Sequence, residues 1–266
     1  MHTIVAQAFK RFTRGFSAKW LAAPLGVGAA AALAGAVWAM TVQPVIVDLT
    51  DSGRGSNSVI TVENTFANPL PVEMRIEDVV LDEGGARGNG EDSGDLIVFP
   101  PQTVIQPGQT QSFRVQYVGE PNLARSKHYY VTVAQLPVQL PEGQSAIQIL
   151  YNFQVLVSVA PAGKSPAISA QGAELVRGED GKSVAAVTFA NASVAHGYVS
   201  RGRLRLVAYN AEGREVWRRT FQAPEIQQSI GFGLIGAEQS RRIQFPVEVP
   251  MEGVRLAAEF TPENRR

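Results

Sequence analysis

Residues 148–161, QILYNFQVLVSVAP, set Ile149, Tyr151, Phe153, Val155, Val157 and Val159 in alternation with Gln148, Asn152, Gln154 and Ser158. A period of two over that length reads as one long β-strand with an almost wholly apolar face. Such a strand either lies in the middle of a sheet or is held at an edge for a partner. An open apolar edge is an aggregation hazard unless pairing is its purpose.

The front of the chain bears on the compartment. Residues 1–20 carry Lys10, Arg11, Arg14 and Lys19 and no acid, and an apolar run rich in Ala and Gly follows, ending at Val37, Trp38 and Ala39. A charged lead, an apolar middle and a small residue at the end predict a signal peptide, residues 1–39, cut after Ala39. The rival reading is a retained membrane anchor, because the run approaches the ~20 residues a span needs. Pro24 and the Ala/Gly content weaken its insertion and favour cleavage. The chain balances 24 basic against 24 acidic residues, and the four basic ones would leave with the signal. The exported chain is then mildly acidic, which argues against nucleic acid or an anionic membrane as partner.

There is no cysteine. An exported chain of this kind has no disulfides and depends on buried apolar surface. What remains of the 266 residues after Ala39 suffices for two domains of about 100 residues, each with its own core.

Apolar alternation recurs at 42–49, 58–64, 72–80, 96–99, 111–118, 129–136 and 147–159, broken by Gly, Pro, Asn and Asp. Short strands so spaced predict an antiparallel sandwich over residues 40–161. Residues 162–166 read as a linker. A second, smaller β-domain over 167–266 has strands near 167–175, 183–191, 202–209, 215–221, 241–247 and 254–260, with Asn210 to Gly213 as a hairpin turn. No window after the signal combines helical apolar spacing with capping residues, so the fold class is all-β.

Nothing in the sequence assembles an active site, and neither a cofactor nor a small-molecule substrate is expected. Residues 82–95, DEGGARGNGEDSGD, lack the acid spacing and closing Glu of a calcium loop and read as a flexible, solvated connection. His128 and His196, far apart and without cysteine, make a weak zinc set, so no metal is assigned. No Ser lies in a nucleophile elbow. Gly231 to Gly236 lacks the βαβ context of a nucleotide loop and reads as a bend. Arg201, Arg203 and Arg205 share one strand face, which reads as solvated.

One segment carries a family likeness. Pro100-Pro101 with Pro107-Gly108 six residues on and Arg114 in the following strand is similar to the signature of the periplasmic pilus chaperones of the chaperone/usher pathway. Residues 127–137 resemble that family's aromatic sixth strand, 147–161 its seventh, and 58–64, ending in Asn64, its second. The likeness covers residues 42–161 well. Over the second domain it rests on strand order and on residues 191–198. The resemblance implies two immunoglobulin-like sandwiches set at an angle with a cleft between them, in a non-enzymatic periplasmic protein. It also implies a mechanism in which the chaperone lends its seventh strand to pilus subunits that lack their last one and delivers them to an outer-membrane usher. Matched by position, Ile147, Ile149, Tyr151 and Phe153 are the donated side chains. The competing reading leaves them in this domain's own core.

The departures are specific. The family anchors the subunit's C-terminal carboxylate with an arginine on the first strand and a lysine on the seventh, and those positions fall here near Ile46 and on Leu156. The divergent, archaic branch of the family is one home for such a chain. If the sixth and seventh strands pair, Lys127 and His128 lie near the cleft with Arg125 just before them, and Lys127 or Arg125 is the candidate carboxylate anchor. The alternative function is a structural or adhesive fibre protein, against which the Pro-Pro to Pro-Gly segment and the intact seventh strand discriminate. A carbohydrate-binding sandwich would show exposed aromatics on loops. An exposed apolar edge also makes self-association of the free protein an expectation.

Overall fold

The computed structural model describes residues 40–82, 85–137, 149–178, 181–249 and 255–263. The signal-peptide reading, Ile147 and the loop expected between the sixth and seventh strands lie outside the described residues.

The first sandwich is built from β1 (Met40–Gln43), β2 (Ile46–Thr50), β3 (Asn57–Asn64), β4 (Leu70–Asp82), β5 (Gly85–Gly88), β6 (Leu96–Phe99), β7 (Gln102–Ile105), β8 (Thr110–Tyr117), β9 (Lys127–Gln135) and β10 (Asn152–Ala160). One sheet runs β1-β3-β8-β6, and the other β2-β10-β9-β4-β5 with β7 also on β4. The single strand expected over 42–49 is therefore two, divided at Pro44 and Val45, and the chain changes sheets there. Alternation places Ile60, Val62, Phe113 and Val115 from one sheet against Val72, Val131, Val133, Val155, Val157 and Val159 from the other, all buried in one core.

Asn64 is fully buried at the end of β3 and organises the turn after it. Its amide nitrogen donates to the carbonyls of Asn68 (2.9 Å) and Ile105 (2.8 Å), and its Oδ1 accepts the Phe66 N–H at 2.9 Å. Within the acidic segment, residues 85–95 make more internal contacts than a solvated connection would. Residues 85–88 pair with β4, Ser93 is held by Asp78, and Asp95 accepts from Lys127 and Tyr129.

The second sandwich comprises β11 (Ile168–Arg177), β12 (Ser183–Asn191), β13 (Gly197–Tyr198), β14 (Gly202–Tyr209), β15 (Glu215–Phe221), α1 (Ala223–Ile230), β16 (Leu234–Ile235), β17 (Ser240–Glu248) and β18 (Arg255–Pro262). Its sheets are β11-β12-β17 and β15-β14-β18, with β13 and β16 as a two-stranded ribbon. Phe189, Phe245, Leu204 and Leu206 are among the residues of a separate core. Asn191 closes β12 as Asn64 closes β3, donating to the carbonyls of Ala195 (2.7 Å) and Gly236 (3.0 Å) and accepting from Ala167 and Ser193.

The helix α1 corrects the expectation that the chain has none. Pro224 lies in its first turn, the Glu225 carboxylate reaches back to the Gln222 N–H at 2.9 Å, and Gly231, at φ 70°, takes the positive angle that ends it. Ile226 pins it to the core.

Candidate functional site

The site grows out of β10. Its Val155, Val157 and Val159 side chains are fully buried. Phe153, two residues earlier on the same face, is partly buried against the same core, Tyr151 is 38% exposed and Ile149 68% exposed. The strand thus begins at Asn152 rather than Gln148, and one face of it serves two environments in succession. Its C-terminal half fills the sandwich, and the segment before it passes beyond the sandwich's end.

The backbone has the same division. Antiparallel β9 covers one side of β10 from Asn152 to Val159, while parallel β2 covers the other only from Leu156 to Ala160. The Tyr151 carbonyl accepts the Gln135 N–H on the β9 side, and the Leu156 N–H donates to Val45 on the β2 side. By that alternation the main-chain groups of Asn152 and Gln154 face the side that β2 does not reach. Among the described residues no strand pairs with this edge, and exposed apolar side chains lie beside it.

Next to it the two sandwiches meet. Leu156 is the Cα partner of Ile46, so the two positions where the resemblance implies cations lie side by side, and both are apolar. One row further on, Ser158 pairs with Asp48 of β2 and His128 of β9. Across from this row stands the second sandwich. Asp48 Oδ1 accepts from His196 Nε2 at 3.0 Å and from the Tyr198 hydroxyl at 2.8 Å, and Oδ2 pairs with Arg201, whose guanidinium lies over the Tyr198 ring. Ser126 Oγ accepts the His196 N–H at 2.9 Å and faces its Nδ1 at 3.0 Å. The His128 and His196 rings meet edge to face, centroids 5.3 Å apart.

Burial works against the charge on Asp48, but the hydrogen bonds from His196 and Arg201 outweigh it and hold the carboxyl well below its usual range. Burial, helped by the charge of His196, pushes His128 down to about 3, so the ring is neutral. Arg201 is consequently a bridge between sandwiches and no part of a solvated strand face. It precedes β14 in a short turn, and its partner is remote in sequence.

The three anchor candidates differ. Lys127 Nζ sits 2.7 Å from Asp95 Oδ2, which the Tyr129 hydroxyl also approaches at 2.7 Å. Burial opposes the charge on Asp95, yet these bonds keep the carboxyl depressed, and the same pairing raises Lys127. Lys127 already has its carboxylate. His128 is buried, neutral and bonded to Ser158 Oγ at 2.8 Å. Arg125 is exposed and has no ion pair among the described residues. It lines an inter-sandwich cavity of about 440 Å³, opposite Gly236, Ala237 and Gln239.

Residues 39–164 match the family model described as pili and flagellar-assembly chaperone, PapD N-terminal domain. The match covers the first sandwich. The matched residues thus span β1 to β10 and include the edge at Asn152 and Gln154. No curated protein matches the chain. Among solved structures the chain is similar to the CsuC–CsuE chaperone and tip-subunit complex of Acinetobacter baumannii, at 13% identity over 79% of this chain and 89% of that one, TM-score 0.46. It is also similar to the Escherichia coli chaperone DraB (15%, 82% and 87%, 0.45) and to the SafB chaperone with SafA pilin from Salmonella enterica (12%, 80% and 86%, 0.47).

Proposed function

We propose that the chain is a periplasmic assembly chaperone that binds incomplete immunoglobulin-like pilus subunits by lending them the segment leading into β10, and passes them to an outer-membrane usher. The observation that carries this reading is the junction near Asn152. Upstream of it Ile149 is 68% exposed, and downstream the same face of the strand is closed in the chaperone's core. A partner strand laid along Asn152 and Gln154 would gain main-chain hydrogen bonds whatever its sequence, while Ile149, with Ile147 before it, supplies apolar side chains for a groove. The rigid core behind the lent segment limits the entropy lost on binding.

A subunit held here meets apolar Ile46 and Leu156 at the cleft. With Lys127 committed to Asp95 and His128 neutral, Arg125 is the anchor candidate left for a terminal carboxylate.

The test is affinity purification of the mature protein from its own periplasm beside the Ile149→Asp form, with bound proteins identified by mass spectrometry. Recovery of small β-subunits by the wild type alone supports the reading, since the substitution would bury an unpaired carboxylate in the groove. Equal recovery by both forms, or by neither, refutes it.

A further inference from the structure

Tyr151 is tied down from three directions. Its carbonyl accepts the Gln135 N–H at 3.0 Å, its own N–H donates to Gln135 Oε1 at 3.2 Å, and its ring lies 6.0 Å from that of Phe66, tilted by 38°. Phe66 in turn is packed on the first core and held by its N–H on Asn64 Oδ1. A fully buried asparagine therefore positions a phenylalanine, and the phenylalanine positions the tyrosine where β10 leaves the sandwich. Phe153 follows against the core, and Ile149 precedes and is the most exposed of the three.

We infer that Phe66 is a positioning residue that fixes the register of strand lending: it keeps the Tyr151 ring on the chaperone's own side, so that Ile149, and not Tyr151, is offered to a partner. The inference rests on the strand-lending reading and revises which side chains of the segment are given away. Phe153 packs on the chaperone's core directly, and Tyr151 rests beside it through Phe66. The contact also restricts the freedom of the segment just upstream, which a partner would otherwise have to order on binding.

The first arm of the test needs no partner. Amide hydrogen exchange is followed by NMR on the protein purified from the periplasm, as wild type, Phe66→Ala, Phe66→Leu and Phe66→Tyr. Loss of one aromatic pair is expected to speed exchange at Tyr151 by about three- to tenfold, leaving Val131 and Val157 unchanged, with Phe66→Tyr restoring protection. Unchanged exchange at Tyr151 in Phe66→Ala, or an equal rise at Val131 and Val157, overturns the positioning role. The second arm compares capture of the β-subunit recovered by the wild type. Tyr151→Ala is expected to retain capture within about tenfold, whereas Ile149→Asp loses it. Loss by Tyr151→Ala equal to that of Ile149→Asp, at unchanged stability, would mean the ring is lent and overturns the register. Retention of capture by Ile149→Asp would instead sink the lending reading, and the exchange arm would still report on Phe66.

Discussion

Acidification should weaken the junction between the two sandwiches through His128 before the carboxylate at its centre responds. The ring is 7% exposed, bonded to Ser158, edge-on to His196 and close to Asp48 and Tyr198. Its pKa is about 3 when folded, against 6.5 when free. Because the folded value is the lower one, the unfolded chain binds more protons between those limits. The stability due to the neutral ring is complete above about pH 6.5 and is lost as the pH falls towards 3. Each unit of difference corresponds to about 1.4 kcal/mol, giving a loss of about 2 kcal/mol by pH 5 and about 4 to 5 kcal/mol by pH 3. Asp48, held below its ordinary 3.8, keeps its own contribution throughout the upper part of this window. The assay is urea unfolding followed by far-ultraviolet circular dichroism at pH 7.5 and pH 5, on the wild type and on His128→Gln. Glutamine keeps a polar group facing Ser158 and does not titrate. The wild type should lose about 2 kcal/mol more than the variant between the two pH values. Equal losses would show that the ring is not kept neutral by the junction and would refute the reasoning.

Asp48→Asn should cost about 2 kcal/mol at neutral pH, because His196 and Arg201 lose the charge that they share. A double-mutant cycle with Arg201→Ala should be clearly non-additive, and additivity would mean that the pair is not coupled. Asn64→Ala and Asn191→Ala should each cost about 2 to 3 kcal/mol in urea unfolding, since each leaves buried carbonyls without a donor. Phe113→Ala should cost about 3 to 5 kcal/mol through the cavity it opens. Ile149→Asp, expected to lose capture, should leave unfolding within about 0.5 kcal/mol of wild type, and a larger loss would place that side chain in the core.

Alternation made most of the strands legible, and 183–191, 202–209 and 215–221 coincide with β12, β14 and β15. It failed where elements are too short to show a period. The ribbon of β13 and β16 has two residues per strand, and α1 has eight, too few to carry a helical apolar stripe. The helix left other marks, Pro224 in its first turn and Glu225 three residues after Gln222, which a search for the usual Ser, Thr, Asp or Asn cap passes over. Parity along 153–159 agrees with the burial of Val155, Val157 and Val159 and the partial burial of Phe153, but parity does not show where a sandwich ends. The change from exposed Ile149 to buried Val155 is set by facing strands that are far away in sequence. The junction was silent for the same reason. Asp48, His128, His196 and Arg201 come from remote points of the chain, and their polar character alone reads as surface.

The brevity of β2 has a consequence for how such a protein survives in its free state. Within β10 the chain itself occupies the second side from Leu156 onward, so among the described residues of that strand only Asn152 and Gln154 present main-chain groups to a newcomer. Two rungs are too few for a random neighbour to climb, and amyloid-like growth needs a long, flat ladder. A visitor must bring its own groove for the protruding apolar side chains before those rungs are worth holding. Edge length here works as a filter, rewarding only a partner that also buries the apolar side chains beside the rungs.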